Sequence, residues 1–512
     1  MSAVEHPAVV NLFDAVASRE IDAYAIAHLG VSGYDLMNRA ADAAFSALLQ
    51  HFPGAGTIWV CCGKGNNAGD AYLVAKRAHQ YGIRTIVNAL VDPRELTGDA
   101  AAAHAEACRA GVSVGVGVSS APADAELIID GLLGTGLSGA PRAPFDAGID
   151  AINAAGKPVL SIDVPSGVSA ATGAVFDAAV RAAVTVSFIT RKVGLYTGAG
   201  VSFAGLREFA DLGVPADMYV AAGISWLRWR PEILPALDAN TYKHRQGHVV
   251  VAGGDTSMPG AVAMATEAAL RVGAGMVTAL TRPQHGAPIV ARTPEVMVRG
   301  FDHVAGAAAA AANEEALELL GRADLVVLGP GLGRSAWSEA LYEAVEDCGK
   351  PTLLDADGLY WLAARGIWRG GDLTITPHVA EAARLLGCAA ADVQNDRLAA
   401  GRDLGQRFAC RGVVKGAGTV VFSKSAANIA ICAHGNPGMA TAGMGDVLSG
   451  VAGGLLAAVA ADALNCDTRL ASAVALHSAA GDAAASSRGQ MSLLATDVIE
   501  ALPRLLQQIT GA

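Results

Sequence analysis

Thr57 to Gly82 reads TIWVCCGKGNNAGDAYLVAKRAHQYG: an apolar strand, a glycine–asparagine loop and a helix, in that order. The same alternation continues on either side. Upstream, Ser18 to Leu49 reads as helical, with apolar residues at Ile21, Tyr24, Ile26, Leu29, Leu36 and Met37. Downstream, strand candidates lie within Arg84 to Val91, Glu126 to Ala140, Lys157 to Gly173 and Ala182 to Phe188. Short apolar strands alternating with helices predict a parallel, doubly wound α/β sheet. In such sheets the loops at the carboxyl ends of the strands form the ligand crevice. Those loops carry Asn66, Asn67, Asp70, Asp130, Asp163 and Ser166. Asp130 and Asp163 each end an apolar strand, and either alone reads equally well as a loop cap. Together at one sheet edge they read as a site, and oxygen ligands of this kind suit a hard cation. GKGNNAGD is neither a Walker A motif nor a G-x-G-x-x-G fingerprint, which disfavours an ordinary dinucleotide site.

Composition bounds the remaining choices. A chain of 512 residues predicts two or more domains with separate cores. With 52% hydrophobic and 17% charged residues it is a packed globular protein rather than a disordered one. A net charge of −11 argues against nucleic acid as a partner, but not against a nucleotide bound through backbone amides. The cysteines include the adjacent Cys61 and Cys62 but no Cys-x-x-Cys, which predicts reduced core thiols in a cytoplasmic protein and no structural zinc. The first residues, MSAVEHPAVVNLFDAVASRE, lack the basic and apolar regions of a signal peptide. The apolar run after Asp446 is alanine- and glycine-rich and interrupted by Asp462, so it predicts a buried helix, not a membrane span.

Character changes at GISWLRWRPEILPALDANTYKHRQGH, Gly223 to His248. A domain boundary is expected between Ala222 and Asp238, giving domains at 1–225 and 238–512, with Trp226 and Trp229 as packing anchors between the domains rather than a stacking site. A second alternating series follows: HVVVAGGD from His248, DLVVLGPGLG from Asp324, PTLLDADGLYWLAA from Pro351, LTITPHVAEAARLLG from Leu373 and GVVKGAGTVVFS from Gly412. No sequence repeat of the first half is visible in it. Asn436 to Gly450, NPGMATAGMGDVLSG, closes the series. A glycine-rich turn opening a helix presents free N–H groups and a positive dipole end to an anion. Asp446 there is either a helix cap or a general base beside an anion hole. Lys415 suits nucleotide phosphates or tips a solvated hairpin. Asp355 and Asp357 position a metal or cap a helix; sequence does not choose.

GKGNNAGD, IIDGLLGTGL and SIDVPSG, in this order, resemble the NAD(P)H-hydrate epimerase domain over most of the first half. That resemblance implies a Rossmann-like fold and interconversion of the R and S hydrates, NADHX and NADPHX. By motif, Asn67, Asp130 and Ser166 would contact a potassium ion. Asn66, Asn67, Ala68, Gly69, Asp70, Gly134, Thr135, Gly136, Leu137, Ser138, Gly139, Ala140 and Asp163 would hold the hydrated nucleotide, with Asp163 transferring the proton. Ala68 stands where the family has glycine, and its methyl would crowd a loop of positive φ. Ala71-Tyr72 is a second departure.

GPGLG, DADGL, TPH, KGAGT and NPGMATAGMGD together resemble the ADP-dependent NAD(P)H-hydrate dehydratase domain, which has a ribokinase-like fold. The implied reaction converts the S hydrate to NAD(P)H, with ADP becoming AMP and phosphate. Asp446 would be the base, and Gly443 to Gly445 the anion hole. Lys415, Gly416, Ala417, Gly418, Thr419 and Gly445 would bind ADP, and Ala261, Gly331, Gly333 and His378 the hydrate. ADP as co-substrate, potassium and magnesium are the implied cofactors, and a homo-oligomer without membrane or nucleic-acid partners is expected. Met444 replaces the family's serine, leaving backbone amides to form the anion hole. Val379-Ala380 after His378, and Tyr360, depart from the family pattern too. A ribokinase-type small-molecule kinase shares the Gly-x-Gly-Asp context, but KGAGT, TPH and the first domain separate the two. A non-catalytic nucleotide sensor would rest on Ala68 and Met444.

Overall fold

The computed structural model describes residues 10–137, 139–221, 223–230, 234, 237, 239–302, 307–425, 428–458 and 465–507. The chain divides into two compact units, 1–225 with 394–396, and 226–393 with 397–512. The expected boundary markers Ala222 and Asp238 lie outside the described residues. Trp229 packs against the core of the second unit, and its backbone N–H donates to His434 Nε2 at 3.1 Å.

In the first unit one sheet is built of β1 (Thr57–Cys62), β2 (Arg84–Ala89), β3 (Val114–Val116), β4 (Leu127–Gly131), β5 (Val159–Ile162), β6 (Val184–Phe188) and β7 (Leu206–Ala210). They lie in the order β3-β2-β1-β4-β5-β6-β7, all parallel. Strand order reverses between β1 and β4, so the loops after these two strands diverge and open a crevice. β4, β5 and β6 are buried throughout, as expected of parallel strands covered on both faces. Each buried Val, Leu or Ile there contributes about 1.5–3 kcal/mol.

The single helix expected from Ser18 to Leu49 is two, Ala15–Leu29 and Gly33–His51. Gly30 ends the first in a left-handed conformation (φ 65°), and Ser32 starts the second with a capping box to Asp35. Hydrophobic spacing persists across that break, so it does not report it.

The second unit holds β8 (His248–Ala252), β9 (Met276–Thr281), β10 (Met297–Gly300), β11 (Leu325–Leu328), β12 (Thr352–Leu354), β13 (Leu373–Ile375), β14 (Arg411–Val414), β15 (Val420–Phe422) and β16 (Ile429–Cys432). Their order is β10-β9-β8-β11-β12-β13-β14-β15-β16, parallel through β14 and antiparallel beyond it. The winding of the first unit therefore recurs without a sequence repeat. Its reversal falls between β8 and β11, where Asp255 N–H donates to Gly331 O at 2.7 Å. Helix Met444–Ala457 is buried along most of its length; the rest of the apolar run, from residue 459, lies outside the described residues. No described helix is long and apolar enough to cross a membrane.

Candidate functional site

The crevice of the first unit is a cavity of about 960 Å³. Asn66, Asn67, Asp70, Gly134, Thr135, Gly136, Leu137, Gly139, Ala140 and Asp163 all line it. Ser138 lies outside the described residues. Ala68 and Gly69 do not line it, because both lie inside helix Asn66–Tyr81 on its packed face. A side chain at Gly69 would stand 2.6 Å from Met37 Sδ. Ala68 is helical and fully buried, so its methyl fills core rather than crowding a loop. Tyr72 is likewise core, edge-on to His104.

Asp163 follows β5 with φ 65°, a left-handed backbone that Asp tolerates better than most residues. Its Oδ1 accepts from Lys192 Nζ at 2.5 Å, and Lys192 also donates to Phe188 O at 2.6 Å. Lys192 is buried and lines the same cavity, as does Asp22 from helix Ala15–Leu29. Burial, then the Asp163 charge, push the Asp22 carboxyl up to about 6 against the pull of Lys192. Burial and Asp163 hold the Asp70 carboxyl well above its usual range. Three carboxyls thus surround one ammonium at this wall of the cavity, a clustering of charge typical of functional sites. Sequence reading missed Lys192 and Asp22. Lys192 is 29 residues from Asp163 in no motif with it, and its one local signal is a cation just past a strand end.

Asp130 ends β4 fully buried, its carboxylate accepting from Ser166 Oγ (2.6 Å), Ser166 N (2.9 Å), Ser161 Oγ (2.8 Å) and Leu132 N (3.3 Å). Burial raises its pKa and these bonds oppose the rise. Asn67 Nδ2 and Ser166 Oγ both donate to Leu133 O, at 3.0 and 3.2 Å, so Asn67, Asp130 and Ser166 gather at one point. Asn67 Oδ1 is buried there with no hydrogen-bond partner. An orphaned oxygen in an oxygen-rich nest fits a hard cation.

In the second unit the glycine turn and the ends of β12 and β14 converge. Gly443 (φ 89°) is the N-cap of helix Met444–Ala457 and makes no side-chain cap. Asp446 sits in the first turn, inside the helix rather than at its cap. Burial first, then the Asp355 charge, push its carboxyl up to about 7, against Lys415. A group that titrates near neutrality beside unpaired helix N–H groups can accept a proton while the amides hold an anion. Lys415 Nζ donates to Asp355 Oδ1 at 2.7 Å. A methyl at Gly445 would lie 3.3 Å from Lys415 Nζ, so the ammonium lies directly over this glycine. Burial opposes the Lys415 charge, but Asp355 and Glu381 outweigh it and raise its pKa. Thr419 Oγ1 donates to Gly416 O at 2.8 Å and closes the KGAGT turn; buried Arg397 backs it through Ala417 O at 2.8 Å.

Met444 is buried in the core of this unit, so its side chain takes no part in the anion hole. Ala261 and Gly331 are brought together: a methyl at Gly331 would lie 3.1 Å from Ala261 Cβ. Gly333 N–H donates to Asp357 Oδ2 at 3.2 Å, and Arg334 Nε to Asp357 Oδ1 at 2.9 Å, so Asp357 braces the glycine loop. His378 caps helix Val379–Leu386, its Nδ1 accepting from Ala380 N at 3.1 Å, while its backbone bridges to Lys415. The ring expected in a pocket is therefore used as a cap. Its partner Glu381, missed in the sequence, is pushed up to about 7 by burial against Lys415.

Residues 249–504 match the model of the NAD(P)H-hydrate dehydratase family, and residues 33–194 that of the YjeF-related protein N-terminus. The chain is 42% identical over 488 residues to the bifunctional NAD(P)H-hydrate repair enzyme Nnr of Coxiella burnetii, covering 94% of this chain and 96% of that one. It is 39% identical to Nnr of Escherichia coli K12, covering 93% and 90%. A ribokinase-like superfamily protein from Enterococcus faecalis V583 is 27% identical, with a TM-score of 0.49 over 56% of this chain and 97% of that one. Near-full-length identity of this order, with both family models matched in sequence order, places the chain in the family of bifunctional NAD(P)H-hydrate repair enzymes.

Proposed function

We propose that the chain repairs hydrated nicotinamide nucleotides at two sites: it epimerises the R and S hydrates and dehydrates the S hydrate with ADP. The observation that carries this is Asp446, a carboxyl poised near pH 7 on an uncapped helix start beside Lys415. The hydrate's hydroxyl is a poor leaving group. Asp446 takes its proton, the oxygen attacks the β-phosphorus of ADP, and the bond to AMP breaks. The ring-nitrogen lone pair then expels phosphate, leaving an iminium, and loss of a proton from the adjacent ring carbon restores the reduced ring. The amides of Gly443 to Gly445 hold the transferring group, and Lys415 to Thr419 hold the ADP phosphates. Ala261, Gly331 and Gly333 line the hydrate pocket, with His378 framing it through the backbone.

In the first unit, Asp163 moves the proton at the epimerising centre, and Lys192 holds its carboxylate in place. Asn67, Asp130 and Ser166 hold potassium, a reading supported by the orphaned Asn67 Oδ1; the ion supplies a fixed positive charge beside the loop. Magnesium has no cage of three or more His, Cys, Asp or Glu side chains among the described residues, and we assign it to the ADP phosphates. All eight cysteines are free, which supports a cytoplasmic protein.

The test is an assay on acid-hydrated NADH. Purified protein with ADP should restore the absorbance of the reduced nicotinamide and release AMP. Potassium should accelerate interconversion of the hydrates. Binding of hydrate and ADP without turnover would instead establish a sensor, and phosphorylation of a sugar-like alcohol a kinase. We also place the domains at 1–225 and 238–512. The first fragment should epimerise without ADP, and the second should dehydrate only the S hydrate. Loss of both activities in folded fragments would defeat that division.

A further inference from the structure

We propose that Asp355 is a positioning residue for phosphoryl transfer: it holds the Lys415 ammonium over Gly445, where the transferring group lies. The proposal rests on the dehydration reading above. Asp355 follows β12 and is 1% exposed. Its two oxygens face two different elements. Oδ1 accepts from Lys415 Nζ at 2.7 Å, at the end of β14, and Oδ2 accepts from Ser449 Oγ at 2.7 Å, inside helix Met444–Ala457. One carboxylate therefore fixes the cation relative to the helix whose first turn bears the anion hole. A methyl at residue 445 would touch both partners, at 3.3 Å from Lys415 Nζ and 3.5 Å from Asp355 Oδ2.

The backbone of Asp355 is fixed as well. A side chain at Gly329 would lie 1.8 Å from Asp355 O, so the loop after β11 closes directly on it. A lysine serving only the ADP phosphates would extend with the exposed Gly416 and Ala417. Lys415 instead folds inward, to where the phosphoryl group passes from AMP to the hydrate. It supplies charge there and exchanges no proton, which goes from the hydroxyl to Asp446.

The charged groups around Asp446 are Asp355 and Lys415. Around Lys415 stand Glu381 and His378, from helix Val379–Leu386 and its cap, and His477 of helix Cys466–Arg488. Burial lowers His477 to about 4, so it adds no charge at neutral pH. Removing the Asp355 charge therefore leaves Lys415 as the dominant neighbour of Asp446.

The test is Asp355→Asn in the full chain, an amide of nearly the same shape. Dehydration kcat should fall roughly tenfold or more, with KM for ADP little changed. The acid limb of the pH–rate profile should move to lower pH, because the anion that favours protonated Asp446 is gone. A carboxylate that served only the fold would leave kcat intact in the folded, isosteric variant. Ser449→Ala, which removes one anchor without changing charge, should lower kcat and leave the limb in place. Wild-type kcat and an unmoved limb in folded Asp355→Asn would overturn the proposal. If that variant does not fold, wild-type kcat in Ser449→Ala overturns it. Wild-type protein is assayed alongside: its failure to turn over defeats the dehydration reading itself, whereas active wild type with unaffected variants defeats only the role of Asp355.

Discussion

Asp446→Asn is expected to slow dehydration by roughly 10²- to 10⁴-fold, the usual contribution of a general base. The amide is nearly isosteric and accepts a hydrogen bond, but it takes no proton at neutral pH. The helix should persist, because its N-cap is Gly443 and Asp446 makes no cap to lose. ADP affinity should hold or improve, since one negative charge near the phosphates is removed. Epimerisation, in the other unit, should be untouched. Wild-type dehydration should also carry the signature of a raised carboxyl pKa. Asp446 is protonated below about 7, so the rate should fall with pH below that point and level off above it. Dehydration within a few-fold of wild type in the variant would remove Asp446 as the base. A flat profile from pH 5 to 8 would do the same.

Asp163→Asn should stop epimerisation and spare dehydration of the S hydrate, again by roughly 10²- to 10⁴-fold. Asparagine accepts the left-handed backbone at φ 65° as readily as aspartate, so the loop after β5 should keep its shape. It also leaves Lys192 an oxygen to donate to. What disappears is the basic oxygen and the counter-charge to the buried ammonium, and Asp22 and Asp70 lose the anion that raises their pKa values. Chiral separation of the hydrates over time reads the result directly. Interconversion at the wild-type rate would exclude Asp163 as the proton carrier and turn attention to Asp22.

The strands were legible because buried parallel strands are short apolar runs, and the site loops because Asp130, Asp163 and Gly331 stand where such runs end and Asp446 where an apolar helix begins. What the sequence hid is what only the fold juxtaposes. Lys192 meets Asp163 because the short strand Arg191–Lys192 follows β6, which pairs with β5, and Asp22 arrives on a helix far upstream. Composition likewise leaves unsaid which way a residue faces. Ala68 and Met444 suggested a weakened site, yet both point into packed cores. His378 was rightly placed at a strand end, but its ring caps a helix. Between metal positioning and helix capping the sequence did not choose for Asp355 and Asp357; in the fold one holds Lys415 and Ser449 and the other braces Gly333 and Arg334.

If the proposed potassium fills its nest, Asn67 Oδ1, buried without a hydrogen-bond partner, makes the stability of the first unit a function of the ions around it. An unsatisfied buried acceptor costs about 1–3 kcal/mol. An ion that fills the nest binds the native chain and not the unfolded one, so it returns that energy by mass action. Past its dissociation constant, each tenfold rise in ion concentration adds about 1.4 kcal/mol. Protein dialysed free of such an ion is then a softer molecule than the same chain in a cell, and its melting point measures its solvent as much as its sequence.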